Sequence, residues 1–357
     1  MAVTTYGVND TLSNKLWAKK LTAEALKETY FGKFMGTSAN SMIQQKTEVS
    51  KAAGDKVTFG LRMQLSGDGR TEGQTLEGNE ESLTTYADSI LINELMHAVR
   101  VKSENSIDAQ RVPFSMREEG KDGLKDWFAN RFDTVMFYHL AGYTAITDSR
   151  YTGHNSITAP SSGRKVFATG SADETVQSSS SSTFSLALID KCVETAKTST
   201  PLMRPLRVDG EEKYVMFVHP YQVYDLRTNT STGQWLDIQK AALAGGKGDK
   251  SPIYSGALGE YNGVVLHEST RIPVGLHSST GAAQSSTRRA VFCGAQAGAV
   301  AWGQKYNEGS NYKWVEEMFD YERELGISAQ TIWGIKKTVF NSTDFGTITA
   351  TSYAAAH

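Results

Sequence analysis

The segment VTFGLRMQLSGDGRTEGQTLEGNEESLTTYADSILIN, residues 57–93, joins two strand-like runs through a polar loop. In the first run, apolar residues alternate with polar residues and glycine; the apolar ones are Val57, Phe59, Leu61, Met63 and Leu65. This period of two is typical of a strand with one apolar face. The second run, residues 86–101, is rich in β-branched and aromatic residues, which also favours a strand. We therefore predict a long two-stranded hairpin over residues 57–101.

Such a hairpin needs something to cover it. An isolated two-stranded hairpin is marginally stable in water, and it becomes stable when its apolar face and its edges are covered. No other segment of the sequence obviously covers residues 57–93. The sequence therefore predicts an arm that lies on a neighbouring copy of the chain.

The composition is that of an ordinary globular protein. Its 357 residues, of which 39% are hydrophobic, leave room for two medium domains or for one domain with insertions. The 37 Lys and Arg residues nearly balance the 39 Asp and Glu residues, which gives a net charge of −2. A protein dedicated to duplex binding usually carries a basic excess, so this charge argues against that class.

The cysteines and the N-terminus indicate the compartment. Cys192 and Cys293 are far apart and no CxxC motif occurs, which argues against a cysteine zinc site and favours two buried free thiols. The N-terminus MAVTTYGVND is polar, and no run approaches the ~20 apolar residues of a membrane span. The sequence thus predicts a protein that is made in the cytoplasm and has no membrane segment.

Two helices are predicted after the hairpin. Ser115 and Glu118 have the spacing of a capping box, and apolar residues recur at three- and four-residue steps through residues 115–142. A second helix is predicted for residues 184–197. The residues predicted to form the buried core face of the long helix are Trp127, Phe128 and Phe132.

The remaining segments differ in composition and in periodicity. Residues 1–50 carry a helical pattern and are predicted to form an arm. Residues 144–182 are rich in Ser, Thr and Gly with little periodicity, which predicts a polar insertion that ends in a flexible serine tether. Residues 205–310 resemble a compact α/β subdomain, in which RRAVFCGAQAGAVAWGQ is predicted as a strand followed by a small-residue helix. The end of the chain alternates again, which predicts strands that return to the first half.

A catalytic site has little support. The best catalytic or metal-binding candidates are His219, Asp225, His267 and Glu268. No HExxH or GxSxG motif frames them, so a structural role is the favoured interpretation. His97 and His139 have no carboxylate partner at motif spacing.

Glycine-rich and acidic segments do not complete a ligand motif either. GGKGDKS, residues 245–251, lacks the GK[ST] ending of a phosphate loop, and SGDGRTEG, residues 66–73, has its third glycine one residue late for GxGxxG. The loop of the hairpin lacks the EF-hand pattern of calcium ligands, although it contains Asp68, Glu72, Glu77, Glu80 and Glu81. The sequence predicts no enzyme activity, no cofactor and no metal site.

The order of these parts resembles the major capsid proteins of tailed bacteriophages, which have the Hong Kong 97 (HK97) fold. The local sequence is similar to a subfamily known mainly from podoviruses, in the segments LWAKKLTAEALKETYFGKFMG, AGDKVTFGLRMQLSGDGRTEGQTLEGNEE, YVMFVHPYQVYDL and GEYNGVVLHESTRIP. The similarity covers essentially the whole chain in order. Its specificity lies in the combination, because no single segment is a diagnostic motif.

The resemblance implies an α+β fold with named parts. Residues 1–50 would be the N-terminal arm and residues 51–101 the extended loop. Residues 102–204 and 326–357 would form the peripheral domain, with a spine helix near 115–142 and the polar insertion 144–182. Residues 205–325 would form the axial α/β domain.

The resemblance also implies a structural role in the virion. Copies of the chain would assemble into hexamers and pentamers of an icosahedral head that encloses double-stranded DNA, with only weak non-specific contact to that DNA. Portal, scaffold and decoration proteins are the further partners that it implies. Charged residues of the extended loop would set the register between subunits; these are Arg62, Arg70, Glu72, Glu77 and Glu80. Some relatives link subunits through a lysine of this loop, but residues 57–101 contain none.

Two other functions remain open from the sequence. One is a non-capsid protein that assembles into flat or helical arrays. The other is a soluble enzyme or binding protein with a pocket in residues 205–310, which would be a monomer or a small oligomer.

Overall fold

The structure is a computed structural model that describes residues 30–46, 54–62, 65, 67–102, 106–208, 210–229, 259–303 and 311–356. Most of the predicted N-terminal arm and the glycine-rich segment at 245–251 lie outside the described residues. The described chain contains both helices and strands, grouped largely in separate runs, as expected for an α+β fold. None of the helices in this part of the chain is long and apolar enough to span a membrane.

The helices come mainly from the middle of the chain. The α-helices are α1 (Ile107–Arg111), α2 (Met116–Ala141), α3 (Ser149–Thr152), α4 (Asp173–Gln177), α5 (Leu186–Thr198) and α6 (Pro220–Thr228). Short 3₁₀ helices are formed by Tyr30–Phe34 and Ser162–Arg164.

The strands extend from the start to the end of the described chain. Those of the first half are β1 (Met35–Gly36), β2 (Ile43–Lys46), β3 (Lys56–Arg62), β4 (Thr85–Leu91), β5 (Asn93–Lys102), β6 (Lys165–Phe167), β7 (Leu206–Val208) and β8 (Glu211–Val218). Those of the second half are β9 (Gly259–Tyr261), β10 (Val264–Glu268), β11 (Gly275–Leu276), β12 (Ala283–Gln284), β13 (Thr287–Cys293), β14 (Gly298–Trp302), β15 (Tyr312–Phe319), β16 (Glu324–Lys337), β17 (Val339–Phe340), β18 (Thr343–Asp344) and β19 (Thr347–Tyr353).

The first sheet has the order β1-β2-β14-β16-β15, and β5 also pairs with β16. The long helix α2 packs against β5 and β16. Successive side chains of a strand point to opposite faces, so alternate residues of both strands meet the helix. The strand residues that form this core are Leu95, Val99, Val101, Leu325, Ile327 and Ala329.

The second sheet has the order β6-β19-β13-β8-β10-β9, with β7 beside β8. Its central strand β8 shows how the sheet is covered on both faces. Met216 and Val218 pack in the cluster that includes α5 and α6, whereas Val215 and Phe217 pack in the cluster that includes the second half of α2. A strand buried on both faces is apolar throughout, which explains the run YVMFV.

The ends of α2 confirm the bounds predicted from the sequence. The Ser115 hydroxyl accepts a hydrogen bond from the Glu118 amide at 3.3 Å, which caps the first turn. The helix ends at Gly142, whose φ of 62° lies in the left-handed region. A Cβ at this position would lie 2.6 Å from Cδ of Pro160, so only glycine fits. The 26 residues of the helix span about 39 Å.

The predicted core residues of α2 are buried to different extents. Phe128 is 3% exposed and Phe132 is 2% exposed. Trp127 is only partly buried, and its ring stacks on His97 with the ring centroids 4.3 Å apart. Trp127 therefore lies at the margin of the buried face.

The hairpin is shorter than the sequence predicts. β3 and β4 pair antiparallel from Lys56↔Leu91 to Arg62↔Thr85, but the second run breaks at Ile92 and continues as β5 in the first sheet. The break lies where the chain passes Gly334, because a Cβ on this glycine would be 2.1 Å from the Leu91 carbonyl oxygen. Only the first part of residues 86–101 thus belongs to the hairpin.

Residues 144–182 are part of the fold rather than an irregular insertion. β6 pairs with β19 in the second sheet. Arg164 is 1% exposed, and its guanidinium donates to the Asp344 carbonyl at 3.1 Å. In the predicted flexible tether, the Ser182 carbonyl accepts a hydrogen bond from the Tyr353 amide at 2.8 Å. The polar residues of this segment are therefore partners of distant groups, which corrects the prediction.

The predicted boundary at residue 325 does not follow the sheets. β14 and β15, from segment 205–325, pair with β16 in the first sheet. β19, from segment 326–357, pairs with β13 in the second sheet. Each sheet thus takes strands from both segments, and the boundary itself falls inside β16.

The predicted small-residue helix is the strand β14. Ala299 and Ala301 are at most 1% exposed and pack against Val57 and Ile90 of the hairpin. Alanine favours helices in isolation, but here its small side chain lets two layers of strands approach closely. Tertiary packing therefore overrides the local propensity.

Truncation of Phe128 tests whether α2 is a core element. Phe128→Ala is expected to lower the free energy of unfolding by about 3–5 kcal/mol, because the ring is buried and contacts Trp127 and Tyr312 with centroids 4.9 and 5.5 Å away. Chemical denaturation of the soluble subunit measures the loss. The control is Met96→Ala, which truncates a 59% exposed residue of β5. An unchanged stability of Phe128→Ala would mean that the apolar face of α2 is not core.

Candidate functional site: the hairpin and an exposed sheet edge

The root of the hairpin is fixed to its own chain. Asp88 forms an ion pair with Lys336 and accepts a hydrogen bond from the Val339 amide at 3.1 Å. The Asn155 side chain accepts from the Leu91 amide at 2.9 Å and donates to the Leu91 carbonyl at 2.7 Å. The expectation that nothing else in the chain covers the hairpin is therefore wrong for its root.

The tip of the hairpin, residues 65 and 67–84, is exposed at every residue. Its hydrogen bonds include one from the Gly67 amide to Glu81 Oε2 at 2.7 Å, which joins the two sides of the tip. Three leucines of the tip are more than half exposed: Leu65, Leu76 and Leu83. Apolar side chains grouped on one exposed element mark a surface suited to burial against a partner.

The charged residues predicted for the subunit interface all lie on the hairpin. Arg62 ends β3, and the others belong to the tip. Each of the five is exposed: Arg62, Arg70, Glu72, Glu77 and Glu80. Arg70 donates a hydrogen bond to Asn79 Oδ1 at 2.6 Å, which supports the turn of the tip. Their role between subunits stays a prediction.

A second exposed surface lies at the edge of the first sheet. In the described part of the chain, β15 pairs with β16 alone. Trp314 is 39% exposed and Met318 is 54% exposed. The strand is tied to α2, because Arg117 forms a salt bridge with Glu316 at 2.8 Å. Hydrogen bonds from Trp314 and then Arg117 hold the pKa of Glu316 below its usual value. An edge strand of this kind offers free backbone groups to another chain.

The sequence did not single out this edge. A signal was present, since Tyr312, Trp314 and Met318 share one set of alternating positions, interrupted by Glu316. The pattern predicts a strand, but it does not show which face or edge of that strand stays uncovered.

Two of the catalytic candidates belong to α6, one as its N-cap and one inside it. His219 is 8% exposed, and its Nδ1 accepts a hydrogen bond from the Tyr221 amide at 3.2 Å. The histidine thus caps the helix. Asp225 is also buried, within the same helix. These placements agree with the structural interpretation of both residues.

The other two candidates lie on β10. The His267 ring packs edge-on against Phe34 with the centroids 5.1 Å apart. The Glu268 side chain is exposed, and its backbone carbonyl accepts a hydrogen bond from the Tyr30 hydroxyl at 2.8 Å. Both residues therefore support the docking of the segment at residues 30–34.

His139 and the two cysteines are buried in the protein interior. His139 is 1% exposed, and burial, followed by the positive charges of Lys337 and Lys336, lowers its pKa to about 3. Cys192 and Cys293 are buried free thiols, as predicted, and burial raises the pKa of Cys192 to about 12. Within the described ranges, no group of three His, Cys, Asp or Glu side chains is placed to hold a metal ion.

Comparison with known proteins identifies relatives over nearly the whole chain. The family model for phage capsid proteins matches residues 5–356. The chain is 30% identical over 372 residues to the major capsid protein of Pseudomonas phage KPP25, covering 96% of this chain and 94% of that protein.

Solved structures give the same result for the fold. The capsid of Ralstonia phage GP4 is 33% identical with a TM-score of 0.80, covering 99% of this chain and 98% of that one. The capsid asymmetric unit of cyanophage Pam1 is 20% identical with a TM-score of 0.75, covering 99% of both chains. The predicted HK97-like fold is confirmed by these similarities. The chain therefore belongs to the phage capsid protein family and is a structural, non-enzymatic component of the virion.

Proposed function

We propose that this chain is the podovirus-type major capsid protein of a tailed phage, and that its copies form hexamers and pentamers of an icosahedral head around double-stranded DNA. The hairpin carries this proposal. Its root is anchored through Asp88 and Asn155, whereas its tip presents leucines to solvent. A rigid root with an uncovered tip is the arrangement needed to reach and hold a neighbouring subunit.

The tip leucines supply the attraction in this proposal. Full burial of one leucine side chain contributes about 1.5–3 kcal/mol, so three leucines would add several kcal/mol to each contact. The charged residues of the hairpin set register and partner choice more than affinity. A closed shell repeats each contact by symmetry, so that modest interfaces of about 1,000 Å² give a stable particle.

We also propose that the two sheets correspond to the two domains of the family. The first sheet with α2 would be the peripheral domain, and the second sheet with α5 and α6 the axial domain that lines hexamer and pentamer centres. This division moves β14 and β15 into the peripheral domain and β19 into the axial domain, because strands of one sheet share hydrogen bonds.

The genome and the other virion proteins are partners of a different kind. The net charge of −2 supports weak, non-specific contact with the packaged DNA, because a basic excess would add salt-sensitive binding to phosphates. Portal, scaffold or decoration proteins are proposed as further partners, since any of them that the virion contains would attach to a shell built from this subunit.

Negative-stain electron microscopy of the purified protein and of native particles tests the proposed function. Closed shells of uniform diameter are the expected result. Flat sheets or open tubes would favour a non-capsid array protein, and isolated monomers would contradict assembly altogether. Particle diameter and symmetry then report how hexamers and pentamers are arranged.

A further inference from the structure

A cavity of about 390 Å³ opens where α2, the turn at His219 and the segment before β11 meet. Its described lining contains no carboxylate. The polar side chains on which the inference rests are Tyr138, Tyr143, His219, Arg271 and Arg288. All of them carry hydrogen-bond donors, and two are permanently cationic.

Arg288 provides a positive charge that no carboxylate neutralises. Its Nη1 donates to the carbonyl oxygens of Ser285 and Thr287 at 2.9 and 2.8 Å, which fixes the guanidinium. Its Cζ also lies 5.4 Å from the centroid of the Tyr221 ring. Among the described residues, no Asp or Glu lies within ion-pair distance of this guanidinium. The side chain is therefore held in place with its charge available to a ligand.

His219 adds a neutral donor. Because its Nδ1 accepts the Tyr221 amide hydrogen, the ring proton resides on Nε2. Burial, and then the positive charge of Arg288, lowers the pKa of His219 to about 4, so the ring is neutral at pH 7. The side chain is 8% exposed, and no acceptor for Nε2 is present among the residues that the structure describes. Because His219 lines the cavity, this Nε2 proton is a donor that a ligand in the cavity can engage.

The lining of the cavity also includes two tyrosines. Tyr138 and Tyr143 lie side by side, with ring centroids 5.4 Å apart, and their hydroxyls have no hydrogen-bond partner in the described part of the chain. Arg271 is partly neutralised, since its Nη1 lies 3.7 Å from Asp133 and its Nε donates to Asn130 at 3.0 Å. The net positive charge of the cavity thus comes from Arg288.

We propose that this cavity binds a phosphate group. A tetrahedral oxyanion offers acceptor oxygens in several directions, which matches donors that come from α2, the His219 turn and β13. Arginine is suited to this task because its planar fork donates two parallel hydrogen bonds to phosphate oxygens. The group is either free inorganic phosphate or a phosphodiester of nucleic acid, and the chemistry of recognition is the same for both.

Titration of the full-length protein with inorganic phosphate at constant ionic strength tests the proposal, with ³¹P line width and melting temperature as the two measurements. Wild-type protein is expected to bind and to melt at a higher temperature with phosphate. Arg288→Gln is expected to weaken binding about tenfold or more, because a charge-assisted contact is lost. The matched control is Arg207→Gln, which removes a 75% exposed guanidinium 3.8 Å from Glu212 and is expected to bind as wild type does.

Tyr143→Phe keeps the test valid if Arg288→Gln fails to fold, since it removes only a hydroxyl and is expected to weaken binding by a smaller factor. The absence of a phosphate-dependent change in the wild-type protein would overturn the proposal. So would Arg288→Gln and Tyr143→Phe proteins that bind phosphate as tightly as the wild type does. A short DNA duplex that displaces phosphate from the wild-type protein supports the site with nucleic acid as the source. Phosphate binding without competition by DNA supports it with free phosphate as the source.

Discussion

Removal of residues 66–81, with a short turn to close the hairpin, is expected to abolish shell formation and to leave the subunit folded. The contacts that fix the hairpin lie at its root, where Val57 and Ile90 pack on β14 and Asp88 pairs with Lys336. The deletion removes Leu76 together with most of the charged tip, and therefore the surface proposed to lie on the neighbour. Electron microscopy measures shells, and thermal denaturation measures the fold.

A second variant separates the presence of the tip from its chemistry. Replacement of residues 66–81 by a Gly and Ser segment of equal length keeps the chain connection but removes the leucine and the charges. It is expected to fail in assembly as the deletion does. Normal shells from the deletion variant would refute the role of the tip, and normal shells from the Gly and Ser variant alone would show that the tip acts as a spacer.

Asp344→Ala is expected to destabilise the subunit by about 3–5 kcal/mol, because it leaves Lys337 buried without its partner. The two side chains form an ion pair at 2.8 Å and are 3% and 1% exposed, respectively. Burial lowers the pKa of Lys337, and the nearby Asp344 opposes this shift. The charged lysine therefore costs the folded state stability unless the aspartate offsets it. Urea denaturation of the soluble subunit measures the effect.

Three comparisons distinguish this explanation from a general loss of packing. Glu212→Ala removes an exposed carboxylate, 3.8 Å from Arg207, and is expected to cost less than about 1 kcal/mol. Addition of Lys337→Met to Asp344→Ala is expected to restore part of the stability, because it removes the unpaired charge. The deficit of Asp344→Ala is also expected to shrink as the pH rises, because Lys337 loses its proton below the pKa of an unfolded lysine. A pH-independent deficit, unaffected by Lys337→Met, would contradict the explanation.

Elements fixed by local chemistry could be predicted from the sequence. The first turn of α2 is capped by a side-chain hydroxyl, and Ser115 provides it. The helix ends at a residue that adopts a positive φ, and Gly142 provides that conformation. The first strand of the hairpin follows directly from its alternation. Both signals lie within a few residues of the structure they produce.

Features fixed by distant partners could not be predicted in the same way. Asp173, in the segment expected to be an irregular insertion, forms a salt bridge with Arg289 at 2.6 Å and accepts from the Thr351 hydroxyl at 2.8 Å. These partners are 116 and 178 residues away in the chain. A polar composition does not show whether the polar groups bond to water or to distant protein groups. The sequence therefore could not assign residues 144–182 to the fold.

In the candidate site, too, features encoded by neighbouring residues could be predicted and features that depend on distant residues could not. The sequence located the hairpin and its charged tip, because both are encoded by residues in succession. It did not locate the end of the hairpin, which depends on the passage of Leu91 over Gly334, nor the exposed edge β15, which depends on the order of strands. Exposure of an edge is a property of the assembled sheet and not of its sequence.

The pairing of early with late strands has a consequence for synthesis on the ribosome. β2 lies beside β14, and β19 lies between β6 and β13, so each sheet needs residues that are translated last. At roughly 5–20 residues per second, Tyr353 is reached on the order of 20–70 s after initiation. A chain released early lacks an internal strand of the second sheet and cannot complete it. We therefore expect prematurely terminated subunits to fail to fold and to stay out of the growing particle.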